Sequence, residues 1–462
     1  MVKLILIPLV LLCRLLQAQL PNTISAADKV YGLSKCWQEA NYNFVYLNRI
    51  DRARWDSTYR ALITQVQNTT NDYDYYRLLQ KFYGGLHDGH TGVWLPGSLS
   101  PLQYTKMFGE YWLGTENVDG KAIVTRTLRS RMKEIPVGSE VIEVNGLSTA
   151  RYLEDSVKPY ISSSTDYTLE DEAIGGLLRG LQGMNYRVKI KRPDGTILPL
   201  TLTHERTKDT AFYPPFPPPS GLLQLTWYDG DIAYLALNSF SDRKIDTLFL
   251  DKLPELYKAK ALVVDLRNNG GGGTDIGTFI LQYLMRDTIM QHERSYTRQH
   301  MGAYKAWGKF VEPRDTLFNA WSKKAWQYYH DNVYYAFDYS PDTIHLKAKR
   351  LVVPIALLVG HGTASAAEDF LICAGNQRHM TRIGERSYGS TGQPLLFDLP
   401  GGGGARVCTK KDTWPDGKEF VGYGVAPDIT VRPGLKDFID GKDPVLEKAL
   451  QYLRQQTVAT KP

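Results

Sequence analysis

The sequence predicts an α/β protein in which a helical N-terminal region and a β-rich middle region precede a core of alternating strands and helices. Three observations predict it. From about residue 222 onward, a buried apolar run, a glycine-containing turn and a helix occur twice, in "KALVVDLRNNGGGGTDIGTFILQYL" and in "LVVPIALLVG" followed by "TASAAEDFLICAG". Between about 104 and 206 the grammar is that of strands and turns. Before that, about residues 20–98 carry apolar and aromatic residues at helical spacing.

The elements follow in chain order. Lys3, an apolar core of about ten residues and Ala18 before a cut predict a cleaved secretory signal over 1–19. The run falls short of the ~20 residues that span a bilayer, so no integral membrane domain is expected. The signal places the protein outside the cytoplasm, in the periplasm, the cell envelope or the medium. In "DYDYYRLLQKFYGGLHDGHTG" a helix ends at Gly84–Gly85 and a turn carrying His90 follows. "KAIVTRTL" alternates, "VGSEVIEVNG" is a short strand closed by an Asn-Gly turn, and Asp194–Gly195 centre a hairpin. A helix is expected near "LEDEAIGGLLRGLQ". The proline density of "FYPPFPPPSG" marks 207–221 as an extended linker. The core then occupies 222–456, interrupted at about 290–348 by a Tyr- and Trp-rich insertion. "DPVLEKALQYL" closes it as a helix, with Asp443 as cap and Pro444 in the first turn.

Composition excludes several classes of function. The net charge of +6 comes from 55 basic and 49 acidic residues dispersed along the chain, so no nucleic-acid partner is expected. Beyond the signal, Cys36, Cys373 and Cys408 allow no disulfide framework. They show no CxxC spacing, and HExxH is absent, so neither a structural zinc site nor any other metal or organic cofactor is expected.

Chemistry is concentrated at three places. Ser365 stands where a strand gives way to a helix, where unpaired N–H groups and the helix dipole favour developing negative charge. A serine hydroxyl becomes a useful nucleophile only when a base removes its proton. The glycines of "DLRNNGGGG" (265–273) let backbone N–H groups approach a substrate oxygen, and no Lys-Ser/Thr pair follows to make a phosphate loop. His90 supplies a side chain that titrates near neutrality. Each residue also has an ordinary reading, as a helix cap, a loose turn and a surface histidine respectively.

Taken in order behind "GSEVIEVNG", the motifs "DLRNNGGG", "GTASAAE", "GERSYGSTGQP" and "GYGVAPD" resemble those of the C-terminal processing, or tail-specific, serine peptidases. The resemblance covers roughly 80–455. It implies a crotonase-like (ClpP-like) α/β core, a PDZ-like domain at 104–206 and Ser365 as nucleophile. The better-known branch pairs its serine with a lysine. In this chain Ser390 occupies the lysine's place, and no lysine lies between Ser365 and Cys408. The resemblance then points to the branch similar to the tricorn core, which takes its base from the segment before the PDZ-like domain. That makes His90 the base. Gly89 stands where that branch can carry a serine, and Thr91 is the adjacent hydroxyl.

The carboxylate that orients the imidazole is expected at Glu419, with Glu368 and Asp88 as competitors. Backbone N–H groups of Gly271 or Gly272 and of Ala366 are expected to form the oxyanion hole. The implied activity is hydrolysis of peptide bonds in unfolded or C-terminal segments. A non-catalytic peptide- or lipid-binding protein on the same fold and a small-molecule esterase are the alternatives. Subunit number is not legible.

Overall fold

The computed structural model describes residues 20–459, so the expected signal over 1–19 lies outside the described residues. Three helices open the fold: α1 (Ala26–Asn43), α2 (Arg52–Gln67) and α3 (Asp72–Gly84). Each begins at a polar cap, Ser25, Asp51 or Asn71, whose side chain accepts from an N–H three residues on. Their apolar faces carry Leu33, Cys36, Tyr75, Leu79, Phe82 and Tyr83, all buried. These faces form one continuous cluster with the α/β region, so the helical region has no separate core. After α3 the chain turns through His87–Thr91 into strand Gly92–Trp94, which pairs antiparallel with Gly404–Cys408. That pairing fastens the His90 turn to the α/β region.

The middle region is an antiparallel sheet running, in spatial order, Ile197–Thr203, Asn185–Lys191, Glu140–Val144, Lys121–Leu128 and Tyr111–Val118. Strict alternation of buried and exposed residues in Asn185–Lys191 gives it one wet face. A helix, α4 (Asp166–Gly175), packs on it, and Val124, Val141, Ile174, Val188 and Ile190 belong to a core of its own. Part of the proline-rich stretch docks on the edge of this sheet. Phe212 and Tyr213 pair with Leu128 and Thr127, and Phe216 lies under the Arg126 guanidinium, 4.0 Å from ring centre to carbon. Extended backbone favoured by proline also suits a sheet edge.

The α/β region is a six-stranded sheet with strands in chain order: β1 (Leu223–Tyr228), β2 (Ile232–Leu237), β3 (Ala261–Asp265), β4 (Ile355–Val359), β5 (Met380–Gly384) and β6 (Ile429–Thr430). β1 is antiparallel to β2, and the remaining neighbours are parallel. Every residue of β3 and β4 is buried, as both faces of a parallel sheet require. Leu262 and Val264 point into the large cluster, whereas Ala261 and Val263 pack on the opposite face against Val445, Ala449 and Leu453 of α8 (Pro444–Ala459). Burial of each of these valine and leucine side chains is worth ~1.5–3 kcal/mol. Helices α5 (Lys244–Leu256), α6 (Thr274–Leu281) and α7 (Ala366–Cys373) complete the connections. Because β3 and β4 are adjacent and parallel, their C-terminal ends present "DLRNNGGGG" and "HGTAS" side by side. Arg267 holds this edge, bonding Asp265 and, at 2.8 and 2.7 Å, the carboxylate of Asp443 that starts α8.

Candidate active site

Ser365 caps α7 with φ 56° and ψ −127°, a conformation that side-chain-bearing residues rarely adopt. Three contacts impose it. The Ser365 N–H donates to the Ser390 carbonyl at 3.1 Å and to Glu368 Oε2 at 3.3 Å. Gly271 (φ +96°) backs directly against it, since a Cβ there would stand 2.6 Å from Ser365 Cβ and 2.9 Å from Ala366 N. Only glycine fits that approach.

His90 meets this serine from the turn that follows α3. Its Nε2 lies 3.2 Å from Ser365 Oγ, within hydrogen-bond reach for an apo site, and its Nδ1 lies 2.7 Å from Ser390 Oγ. For Nε2 to accept the Ser365 proton, the ring hydrogen must sit on Nδ1 and be donated to Ser390. Burial, followed by the charges of Arg406 and Lys410, lowers the His90 pKa to about 4. The imidazole is therefore neutral at neutral pH, the state a base requires.

The turn that presents His90 is held from below. Buried Asp88 accepts from Thr91 Oγ1 at 2.7 Å and Ser164 Oγ at 3.3 Å, and the Gly89 N–H donates to Ser164 Oγ at 2.9 Å. Asp88 and Thr91 thus serve the turn and each other. A Cβ at Gly89 would fall 2.6 Å from the Tyr388 ring and 3.1 Å from Ser390 Oγ, so the space of a side chain at that position is already filled.

The expected orienting carboxylate requires correction. Glu419 has no hydrogen bond to His90; its carboxylate pairs with Arg49 Nη2 at 2.7 Å and with Lys411. A bridge between Thr413 and Glu419 fixes it on a strand margin where these cations reach it, and they hold its pKa below the usual value against the effect of partial burial. The partner that sequence reasoning missed is Ser390, visible there only as the residue standing in the lysine's place.

Glu368 acts one step further back. Fully buried, it accepts from Ser387 Oγ, from Gly389 N at 2.8 Å and from Ser390 N at 3.0 Å, besides Ser365 N. Burial outweighs these bonds and raises its pKa to about 7. One carboxyl group therefore clamps the loop of Ser390 to the cap of Ser365.

The expected oxyanion donors divide. The Gly271 N–H is committed to Asn269 Oδ1 at 2.9 Å, which removes it as a free donor. Among the described residues the Gly272 and Ala366 N–H groups have no hydrogen-bond partner. Gly272 is itself pressed on Phe240, with space for a Cβ only 2.1 Å from that carbonyl carbon.

Residues 231–431, essentially the α/β region, match Peptidase family S41. A carboxyl-terminal-processing protease of Picosynechococcus sp. is 25% identical over 265 residues, covering 56% of this chain and 52% of that protein. A carboxy-terminal-processing protease of Bartonella bacilliformis is 25% identical over 228 residues, covering 47% and 43%. The chain thus spans about half the length of the curated relatives it matches. Among solved structures, mature CPAF complexed with lactacystin superposes with a TM-score of 0.65 at 15% identity, covering 94% of this chain and 98% of that one, a likeness of fold. Residues 231–431 thus form a region similar to Peptidase family S41, and the chain resembles carboxyl-terminal-processing proteases over about half of its length.

Proposed function

We propose that this protein is an exported serine peptidase that hydrolyses peptide bonds in unfolded or C-terminal segments, with Ser365 as nucleophile and His90 as base. The observation that carries the reading is the 3.2 Å approach of His90 Nε2 to Ser365 Oγ, with Nδ1 held by Ser390. Ser365 Oγ attacks the scissile carbonyl while His90 takes its proton, and the Nδ1–H bond to Ser390 keeps the ring in the required tautomer. The Gly272 and Ala366 N–H groups receive the oxyanion; one such donor is typically worth ~10²–10³ in rate. His90 then protonates the leaving amine, and a water, activated in the same way, releases the acyl group from Ser365.

The finer assignments belong to the same reading. The parallel sheet with its nucleophile at a helix start supports a crotonase-like core. The antiparallel middle sheet with α4 supports a PDZ-like domain, a module type that adds an extended peptide to a sheet edge. Export rests on the composition of 1–19. Among the described residues no helix is long and apolar enough to cross a membrane.

The test is hydrolysis of unstructured peptides by wild type and Ser365→Ala. Activity confined to wild type supports the reading, and equal activity in both removes Ser365 from the mechanism. One observation favours a second reading, a binding protein on the same fold: among the described residues no carboxylate hydrogen-bonds the His90 imidazole. In that case neither protein cleaves any peptide, while both retain one in a binding assay.

A further inference from the structure

We propose that His292 Nδ1, the Glu293 carboxylate and Cys373 Sγ bind a zinc ion that staples the 290–348 insertion to the end of the nucleophile helix. The three side chains come from segments some 80 positions apart, and one ligand atom from each lies within 4.8 Å of the others. No spacing motif announces them, because two of the ligands are adjacent in sequence and the third closes α7.

Three independent features point to a metal. First, Cys373 Sγ and His292 Nδ1 are 3.5 Å apart. Zinc–sulfur and zinc–nitrogen bonds of about 2.3 and about 2.0–2.1 Å at a tetrahedral angle span about 3.5 Å. Second, Glu293 Oε2 is buried with no hydrogen-bond partner among the described residues, an unusual state for a carboxylate oxygen. Third, the remaining ring nitrogen of His292 bonds Asp342 Oδ2 at 3.0 Å. A carboxylate on the far nitrogen fixes the tautomer and orientation of a metal-bound histidine.

The surroundings suit a divalent cation. Glu293, Asp369 and Asp412 interact electrostatically with one another and with the ammonium of Lys410. Asp369 and Asp412 have other partners, Thr274 and Thr391 for the first and Ser295 and Lys410 for the second. That leaves Glu293 for the metal. A sulfur, an imidazole and one carboxylate form a donor set suited to zinc rather than to magnesium or calcium. On binding, the Cys373 thiol proton is released to solvent and replaced by the S–Zn bond. His292 coordinates through the Nδ1 lone pair, with its hydrogen on Nε2 donated to Asp342. Water fills the fourth position. Ser365 and Cys373 lie at opposite ends of α7, about 12 Å apart at 1.5 Å per residue, so the ion braces the helix rather than joining the acyl transfer.

The experiment uses the purified chain freed of metal, titrated with Co²⁺ and then with Zn²⁺ against a chromogenic chelator. Wild type is expected to give a thiolate-to-cobalt charge-transfer band with intense tetrahedral visible bands, and zinc is expected to raise its melting temperature. The Cys373→Ser variant should lose the charge-transfer band. Asp342→Asn, at a surface side chain that leaves folding intact, should weaken zinc binding ~10–100-fold. Absence of the band in wild type, or zinc affinity unchanged in Asp342→Asn, overturns the proposal and leaves the pair as a thiol–imidazole hydrogen bond.

Discussion

His90 Nδ1 lies 2.7 Å from Ser390 Oγ, so the imidazole facing Ser365 is steadied by a hydroxyl where serine hydrolases usually place a carboxylate. A hydroxyl accepts the Nδ1–H bond and fixes the ring, but it brings no full charge to stabilise the imidazolium. Ser390→Ala should therefore lower kcat/KM roughly 10–100-fold, about 1.4–2.7 kcal/mol of transition-state stabilisation, mostly through kcat. Steady-state kinetics on an unstructured peptide checks this, and an unchanged kcat would exclude Ser390 from the relay.

The pH dependence follows from the same surroundings. Burial and the nearby cations lower the His90 pKa to about 4, so its basic form persists well below the usual titration range of histidine. The acid limb of kcat/KM is expected near pH 4 rather than near 6.5. Stability moves in a definite direction as well. Between about 6.5 and 4 the unfolded chain binds the histidine proton and the folded chain does not, so this contribution weakens the fold as pH falls. A pH–rate profile measured beside thermal melts, with His90→Ala as reference for the melts, separates the two effects.

Glu368 is expected to matter through geometry. Both of its oxygens accept from donors on the loops of Ser365 and Ser390, so Glu368→Gln turns an amide N–H₂ toward N–H groups. A destabilisation of ~1–3 kcal/mol is expected, with a fall in kcat as Ser390 shifts. Its raised pKa, about 7, has the opposite linkage to that of His90. The folded state holds the proton longer than the unfolded one, so this stabilisation is complete below about pH 4.5 and fades as pH rises through 7. Urea melts across that window should show the slope in wild type and lose it in Glu368→Gln.

Glu419→Gln provides the contrast. Its carboxylate is partly exposed and paired with Arg49 and Lys411, so catalysis should stay within about twofold and stability within ~1 kcal/mol. A loss of kcat comparable to that of His90→Ala would restore Glu419 to the site.

The legible part of this molecule is the part that local chemistry encodes. Apolar runs closed by glycine turns marked β3 and β4 and placed Ser365 at a helix start, and "DGHTG" marked the turn bearing His90. Pairing information is what the chain conceals. Ser390 reaches His90 across 300 positions and Arg49 reaches Glu419 across 370, and neither contact leaves a pattern in either segment. A carboxylate near the end of the core attracted the role of orienter because its two cations were invisible. Helical periodicity announced that α1–α3 bury a face, but the α/β region that covers it is not encoded there. Proline density in 212–221 predicted extended backbone, and the Leu128 edge that receives it lies far upstream.

Activation of Ser365 by His90 is read most directly from the rate of covalent labelling by a serine-reactive phosphonate, mapped to the residue by mass spectrometry. One adduct is expected, on Ser365, formed by wild type and slowed by at least about 10²-fold in His90→Ala. Labelling at equal rates in both proteins, or at any residue other than Ser365, would contradict it.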